Sequence, residues 1–293
     1  MVNQVLYLSP LQSQDILKTK KISETLIDEL CIIHGFLEEQ HDLAPCTQVN
    51  AIFTKLVQIC IQVYRPEVAE TVLQDPRVLA ILPSLRNLAS EGEYQLEMYW
   101  TKILTDVAED QSPCIEKFVY HQNYQDLVQM EIRALEGVGA TLQNIMFIGS
   151  GPLPLSSIIM AQNLPESNIY NIDHCQKAIQ ISATLITQMG LQNQIESVAA
   201  NASEFKDFQK ADVVVLGALV GQDAYEKTNF LKWISGQMKK GAYVMIRSAH
   251  SLRKVLYPSI EPYEVNDCGF ETQAVLHPYN DVVNSVVIAK KLY

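Results

Sequence analysis

Basic side chains are scarce in this chain. Lys and Arg total 22 against 33 Asp and Glu, a formal net charge of −11 at pH 7. A polyphosphate backbone is gripped by a basic face, and the basic pair Lys20–Lys21 is isolated, so nucleic acid is not an expected partner. Cysteines are few and scattered (Cys31, Cys46, Cys60, Cys114, Cys175 and Cys268), and none forms a C-x-x-C pair. That spacing speaks against a zinc site, a redox dithiol and a disulfide scaffold, and for free thiols in a reducing cytoplasm. No two histidines stand four apart, so no metal held by the protein is expected. Long apolar runs are absent too. The most apolar window, 211–221, contains Asp212 and is about half of the roughly 20 residues a membrane span needs. The first residues have no basic stretch ahead of an apolar core, so no secretory signal is read there. The expectation is a soluble, cytoplasmic protein acting on small molecules, away from membranes.

Apolar residues, by contrast, are plentiful. They make up 48% of the 293 residues, with 19% charged, enough for one large domain or two modest ones. Residues 1–140 read as helices. From Ser23, taken as an N-cap, apolar positions recur at Leu26, Ile27, Leu30, Ile33 and Leu37, and again from Val49 to Ile61, near the 3.6-residue period. Pro66, Pro76, Pro83 and Pro113 divide the segment, and 84–107 and 115–137 follow as further helices. After about residue 143 the pattern changes. Short β-rich runs at 144–148, 168–172, 212–216 and 242–246 alternate with helical stretches at 154–163, 175–189 and 223–238. Strand and helix in succession make a parallel sheet with right-handed crossovers. Residues 270–277 and 282–290 read as an antiparallel hairpin on the sheet edge. The expected fold class is α/β: a Rossmann-like doubly wound sheet over 141–293, preceded by an all-helical domain over 1–140.

The sharpest local signal is FIGSGPLPLSS, 147–157. A strand ends at Gly149, a Gly-x-Gly turn follows, and a helix starts behind it. Glycines let the backbone approach a ligand lying over the carboxyl end of the strand. A dinucleotide site needs a third glycine, whereas Pro152 and Pro154 stand here and remove amide donors that a pyrophosphate would use. The turn therefore suits a nucleoside without phosphates, such as S-adenosylmethionine. Asp173 closes the next strand, where an acid accepts from both ribose hydroxyls or simply caps the following helix. Asn201 sits where such folds hold the adenine amine, or it is a turn former.

With GSGPLP in view, the chain resembles the nicotianamine synthase family. The likeness runs through LAPCTQVNAIFTKLVQICI (43–61), LASEGEYQLEMYW (88–100), FVYHQNYQDL (118–127), FIGSGPLPLSSI (147–158), VVVLGALVG (213–221), IRSAHSLRKVLYPSI (246–260) and HPYNDVVNSVVIA (277–289), in that order. The resemblance implies an enzyme that transfers the 3-amino-3-carboxypropyl arm of S-adenosylmethionine and releases 5′-methylthioadenosine. Plant-type members join three such units and close one into an azetidine ring, making the chelator nicotianamine, while microbial relatives run fewer transfers. S-adenosylmethionine is then a substrate, no metal is required, and a homodimer is left open. Where plant members carry acids, this chain has Asn171 and Asn201, and its loop 107–115 is one residue longer.

The chemistry narrows the candidates. A sulfonium has three attackable carbons, the methyl least hindered, so placement of the incoming amine must select the long arm; such placement can contribute about 7–11 kcal/mol. An α-amine with a pKa of about 8 is mostly protonated at neutral pH and needs a base. Glu93 and Glu97 lie four apart on one helix face, with Glu91 nearby. An acidic face is ordinarily just solvated; the resemblance assigns Glu97 as the catalytic acceptor of the amine proton, with Glu91 and Glu93 binding substrate. It assigns Tyr124 as the second catalytic group, orienting the amine, and Tyr120 and Asn123 as substrate contacts on the same helix. Arg247, at the end of a strand, could fork a substrate carboxylate or pair with an acid of the helical segment; His250 follows one turn on. Gly149, Ser150, Gly151, Pro152, Leu153, Asp173, Asn201 and Ala218 are the expected S-adenosylmethionine contacts. A small-molecule methyltransferase is the competing reading that the α/β half alone would allow, and a non-catalytic binder of adenosyl ligands is a second.

Overall fold

The computed structural model describes residues 10–106, 112–221 and 223–293. Part of the amino-terminal reading (1–9) and part of the loop 107–115 (107–111) lie outside them. The chain opens with five helices: α1 (Pro10–Glu38), α2 (Thr47–Ile61), α3 (Pro66–Gln74), α4 (Pro76–Thr105) and α5 (His121–Gly137). Pro66 and Pro76 stand at the starts of α3 and α4, where a fixed φ helps and the missing N–H has no intrahelical partner to lose. Asp75 caps α4, its carboxylate accepting from the Arg77 N–H at 2.9 Å. Three expectations are corrected here. Ser23 lies inside α1 and caps nothing. Pro83 does not end a helix: α4 runs through it, because Pro83 stands on the exposed side while Val78 and Leu85, fully buried on either side, hold the helix to its neighbours. The 115–137 stretch is a single 3-10 turn, Ile115–Lys117, followed by α5.

A seven-stranded sheet follows, ordered β3-β2-β1-β4-β5-β7-β6. Its strands are β1 (Asn144–Ile148), β2 (Asn168–Asp173), β3 (Ile195–Ala199), β4 (Val213–Leu216), β5 (Tyr243–Ser248), β6 (Phe270–Leu276) and β7 (Ser285–Lys291). β1 to β5 pair in parallel, and β7 joins β5 and β6 antiparallel. The central β4 is buried at every position, as a strand covered on both faces must be, whereas β6 on the edge has Phe270 buried and then alternates exposed and half-buried positions. Between the strands run α6 (Leu155–Asn163), α7 (Gln176–Gln188), α8 (Ala224–Ser235) and α9 (Pro262–Asn266).

Two cores sandwich the sheet. On one face Leu127, Val128 and Ile132 of α5 and Ile158 of α6 meet Phe147, Val215 and Met245; on the other Leu231 and Ile234 of α8 meet Ile148, Leu216 and Ile246. A third core joins α1 to α4 with Leu252 and Val255 of the 3-10 turn Ser251–Val255 and with Leu256 just after it. Fully buried residues such as Leu30, Leu56 and Leu85 each contribute about 1.5–3 kcal/mol. The change of pattern near residue 140 is therefore not a packing boundary: α5 covers the sheet, and Tyr243 of β5 donates to the Val138 carbonyl at its end, at 2.8 Å. Among the described residues no helix is long and apolar enough to cross a membrane.

Candidate active site

The strand order reverses between β1 and β4, and open α/β sheets bind ligands at the carboxyl ends of strands beside such a reversal. A cavity of about 650 Å³ opens there, lined by the ends of β1, β2 and β4, by the turn 149–154 and by α4 and α5.

Gly149 and Gly151 have φ of +75° and +67°, a left-handed conformation that side chains disfavour. Gly151 is constrained twice, since a Cβ there would stand 2.6 Å from Oε2 of Glu97. The turn is pinned from both sides. Asp173, at the end of β2, accepts from the Gly151 N–H through Oδ2 and from the Cys175 N–H through Oδ1, each at 2.9 Å. On the other side, the buried Thr101 of α4 donates to the Pro152 carbonyl at 3.1 Å, and the Leu153 N–H donates to the Glu97 carboxylate. Asp173 thus lines the cavity, but it is not the cap of α7, whose N-cap position is Cys175 and has no side-chain cap. Gly151→Ala should leave the fold intact while displacing Glu97 or the turn, adding roughly 1–2 kcal/mol of backbone strain. Equilibrium binding of S-adenosylmethionine reads the outcome, and unchanged affinity would show that the contact is incidental.

Glu97 and Glu93 project from one face of α4 into the cavity. Each has its own tyrosine. Tyr124 donates to Oε1 of Glu97 at 3.3 Å, and Tyr257 donates to Oε2 of Glu93 at 2.8 Å. Burial, and then the charge of Glu93, hold the Glu97 carboxyl well above its ordinary range, although the Leu153 and Tyr124 hydrogen bonds oppose this. Burial also raises Glu93, against the pull of Tyr257 and Arg247. Both tyrosine hydroxyls are likewise held far above their usual value, by burial first and by the neighbouring carboxylates second. Among the described residues neither acid makes an ion pair. Two half-buried carboxylates share one cavity, and the cation that lines it, Arg247, acts on Glu93 through space and not as an ion pair.

Arg247 of β5 pairs with neither acid because its forked edge is spent. Nε and Nη2 donate to the two oxygens of Glu131 at 2.7 and 3.0 Å, and Nη2 also reaches Ser156 at 2.8 Å. The bidentate grip anticipated on a substrate carboxylate is taken by an acid of α5, although Arg247 still lines the cavity.

The cavity also brings together Glu91, Ser150, Pro152, Leu153, Asn201 and Ala218 with the groups above. Asn201 uses its Oδ1 to accept from the N–H and hydroxyl of Ser203, at 3.1 and 2.9 Å, while Nδ2 is unspent among these contacts. Tyr120, at the N-cap position of α5, packs against Phe118 as Tyr124 does, with ring centroids 5.8 and 6.2 Å apart, and feels the charge of Glu93, although it is not among the residues that line the cavity. Two sequence candidates lie elsewhere. Asn123 donates to the Asp281 carbonyl at 2.9 Å on the surface. His250 lines a separate cavity of about 290 Å³ and shares the Ser285 hydroxyl with His277, at 2.9 and 3.0 Å. Asn171 is a core residue accepting from Ser157 at 2.5 Å.

Sequence reasoning missed Tyr257, although it lies inside the quoted LYP segment, and Asn284, inside NSVV. The Nδ2 of Asn284 and the Oγ of Ser150 are buried without a hydrogen-bond partner among the described residues, and both residues line the cavity. Buried polar atoms without partners are rare, and here they provide donors suited to a ligand carboxylate.

Comparison with known proteins agrees with this geometry. The family model described as nicotianamine synthase protein matches residues 18–293. Probable nicotianamine synthase 4 of Arabidopsis thaliana is 32% identical over 274 residues, covering 92% of this chain and 83% of the relative. Nicotianamine synthase 3 of the same plant is 34% identical over 277 residues, covering 92% and 84%. Among solved structures, a mutant of MtNAS in complex with S-adenosylmethionine superposes with a TM-score of 0.76 at 19% identity, covering 91% of this chain and 98% of that one. Magnesium protoporphyrin IX methyltransferase from Synechocystis reaches 0.50 at 15% identity, covering 71% and 98%; at such identities these likenesses establish the fold alone, which is the expected α/β class with a helical amino-terminal part. The family match over most of the length goes further: the chain belongs to the nicotianamine synthase family.

Proposed function

We propose that Glu97 is the base of an aminocarboxypropyl transfer. As a member of its family, the chain takes S-adenosylmethionine as substrate, joins its 3-amino-3-carboxypropyl arm to an α-amine, releases 5′-methylthioadenosine and builds nicotianamine. The amine gives a proton to the Glu97 carboxylate, its lone pair attacks the methylene next to sulfur, and the C–S bond breaks with both electrons going to sulfur. Tyr124, hydrogen-bonded to Glu97, orients the carboxylate. A group held above its ordinary pKa is better matched to an amine than an exposed carboxylate. The observation that carries this reading is the placement of Glu93 and Glu97, two half-buried carboxylates one helical turn apart in one cavity and without an ion pair among the described residues, which suit a sulfonium and an ammonium arriving together.

In this account α1 to α4 form the lid, α5 packs on the sheet and brings Tyr124 to the cavity, and residues 141–293 hold the adenosyl group, through the turn 149–153, Asp173, Asn201 and Ala218. Glu91 and Arg247 contribute to the substrate wall. The six cysteines are free among the described residues, which supports the cytoplasm as the site of action, and the net charge of −11 supports small molecules over nucleic acid. A homodimer is the assembly to look for by sedimentation. Incubation with S-adenosylmethionine alone, read by mass spectrometry, should yield 5′-methylthioadenosine with singly and multiply extended products. S-adenosylhomocysteine in its place would establish methyl transfer and overturn the reading.

A further inference from the structure

Glu93 is more than a spectator of Glu97. The two acids stand four positions apart on α4 and line the same cavity, which sets them about 6 Å apart along the helix axis and their Cβ atoms roughly 5–6 Å apart. Each is held by a tyrosine from a different element, Tyr124 from α5 and Tyr257 from beyond the 3-10 turn Ser251–Val255. The chain thus repeats one arrangement, a carboxylate with a tyrosine donor, at an interval of one helical turn.

The chemistry of the reaction has a matching interval. Each transfer creates a new primary amine three carbons from the nitrogen that attacked, which in an extended chain is roughly 5 Å with bonds of about 1.5 Å. A singly extended intermediate therefore carries two nitrogens spaced like the two acids. One must be neutral to react, and the other is protonated. Every unit also carries a carboxylate, and Ser150 and Asn284, whose buried donors have no partner among the described residues, line the same cavity.

We propose that Glu93, held by Tyr257, is a second ammonium site one helical turn from Glu97, and that this interval keeps an extended intermediate in register for its next transfer. The assignment rests on the aminocarboxypropyl reading above. Glu97 with Tyr124 works on the nitrogen about to react, while Glu93 with Tyr257 retains the other nitrogen. Tyr257 is a positioning residue that fixes the Glu93 carboxylate.

The test is the ratio of released singly extended intermediate to finished product, followed over a time course with S-adenosylmethionine. Loss of a hydrogen-bonded charge at Glu93 in Glu93→Gln should raise that ratio by about tenfold or more over wild type, with Tyr257→Phe shifting it in the same direction by a smaller factor. A merely structural tie, or an effect only on the basicity of Glu97, slows the next transfer without loosening the intermediate, so the affinity of both variants for the singly extended intermediate, read by calorimetry, would stay at the wild-type value, and that result overturns the proposal. Tyr257→Phe keeps the ring and decides the matter where Glu93→Gln does not fold. A wild-type enzyme that releases no 5′-methylthioadenosine overturns the functional reading and the register with it, whereas an unchanged ratio or an unchanged affinity overturns the register alone.

Discussion

Glu97→Gln should lower turnover by about a hundredfold to ten-thousandfold, the range for losing a positioned base, while S-adenosylmethionine still binds. Rapid-quench release of 5′-methylthioadenosine measures the first quantity and calorimetry the second. Glutamine keeps the shape that meets Gly151 and Leu153 but cannot take a proton, so a variant with full turnover would remove Glu97 from the chemistry. The pH dependence follows from the direction of the shift. Burial and Glu93 hold the folded-state pKa of Glu97 above that of the unfolded chain, so the base form appears only as pH rises, and kcat/KM in wild type should climb through that raised value. Stability runs the other way. A raised carboxyl pKa favours folding in full below the unfolded pKa, about 4.3 for Glu, and the contribution is lost as pH rises through the folded value. The ligand-free Glu97→Gln protein should therefore melt above wild type at neutral pH, with the difference closing towards pH 4. Such a gain in stability on removing a functional group is the usual trade at a desolvated site.

The second large effect concerns the wall of the site. Glu131 is fully buried, and Arg247 is 6% exposed. Removing one partner of a buried pair leaves an uncompensated charge, and Glu131→Ala should cost about 3–5 kcal/mol, seen as a lowered urea midpoint. Replacing both together, Glu131→Leu with Arg247→Met, should recover most of that loss. If Glu131→Ala were as stable as wild type, the pair would not be holding α5 to β5. Because Arg247 also lowers Glu93 electrostatically, the stable double variant should remain impaired in transfer, which separates the structural part of Arg247 from its influence on the cavity.

Much of this was legible before any coordinates. The central strands announced themselves as unbroken apolar runs because they are covered on both faces, and GSGPLP marked the ligand end of β1 because only glycine tolerates the backbone and the close approach of Glu97. β3 was not among the runs picked out: its Glu196 and partly exposed positions dilute the apolar signal, as expected for a sheet edge. Pro83 misled because a proline breaks an isolated helix, whereas packing at Val78 and Leu85 carries α4 past it. Partnerships across the chain were the least visible. Arg247 with Glu131, and Tyr257 with Glu93, join residues more than a hundred positions apart, and nothing in local spacing selects one acid over another.

The most direct test of the central claim is which carbon of the sulfonium faces Glu97. A crystal structure of Glu97→Gln with S-adenosylmethionine bound should place the methylene of the long arm towards the Glu97–Tyr124 pair, with room for a nitrogen about 3–3.5 Å from it. A structure in which the methyl group occupies that position, and the arm points away from α4, would contradict the account.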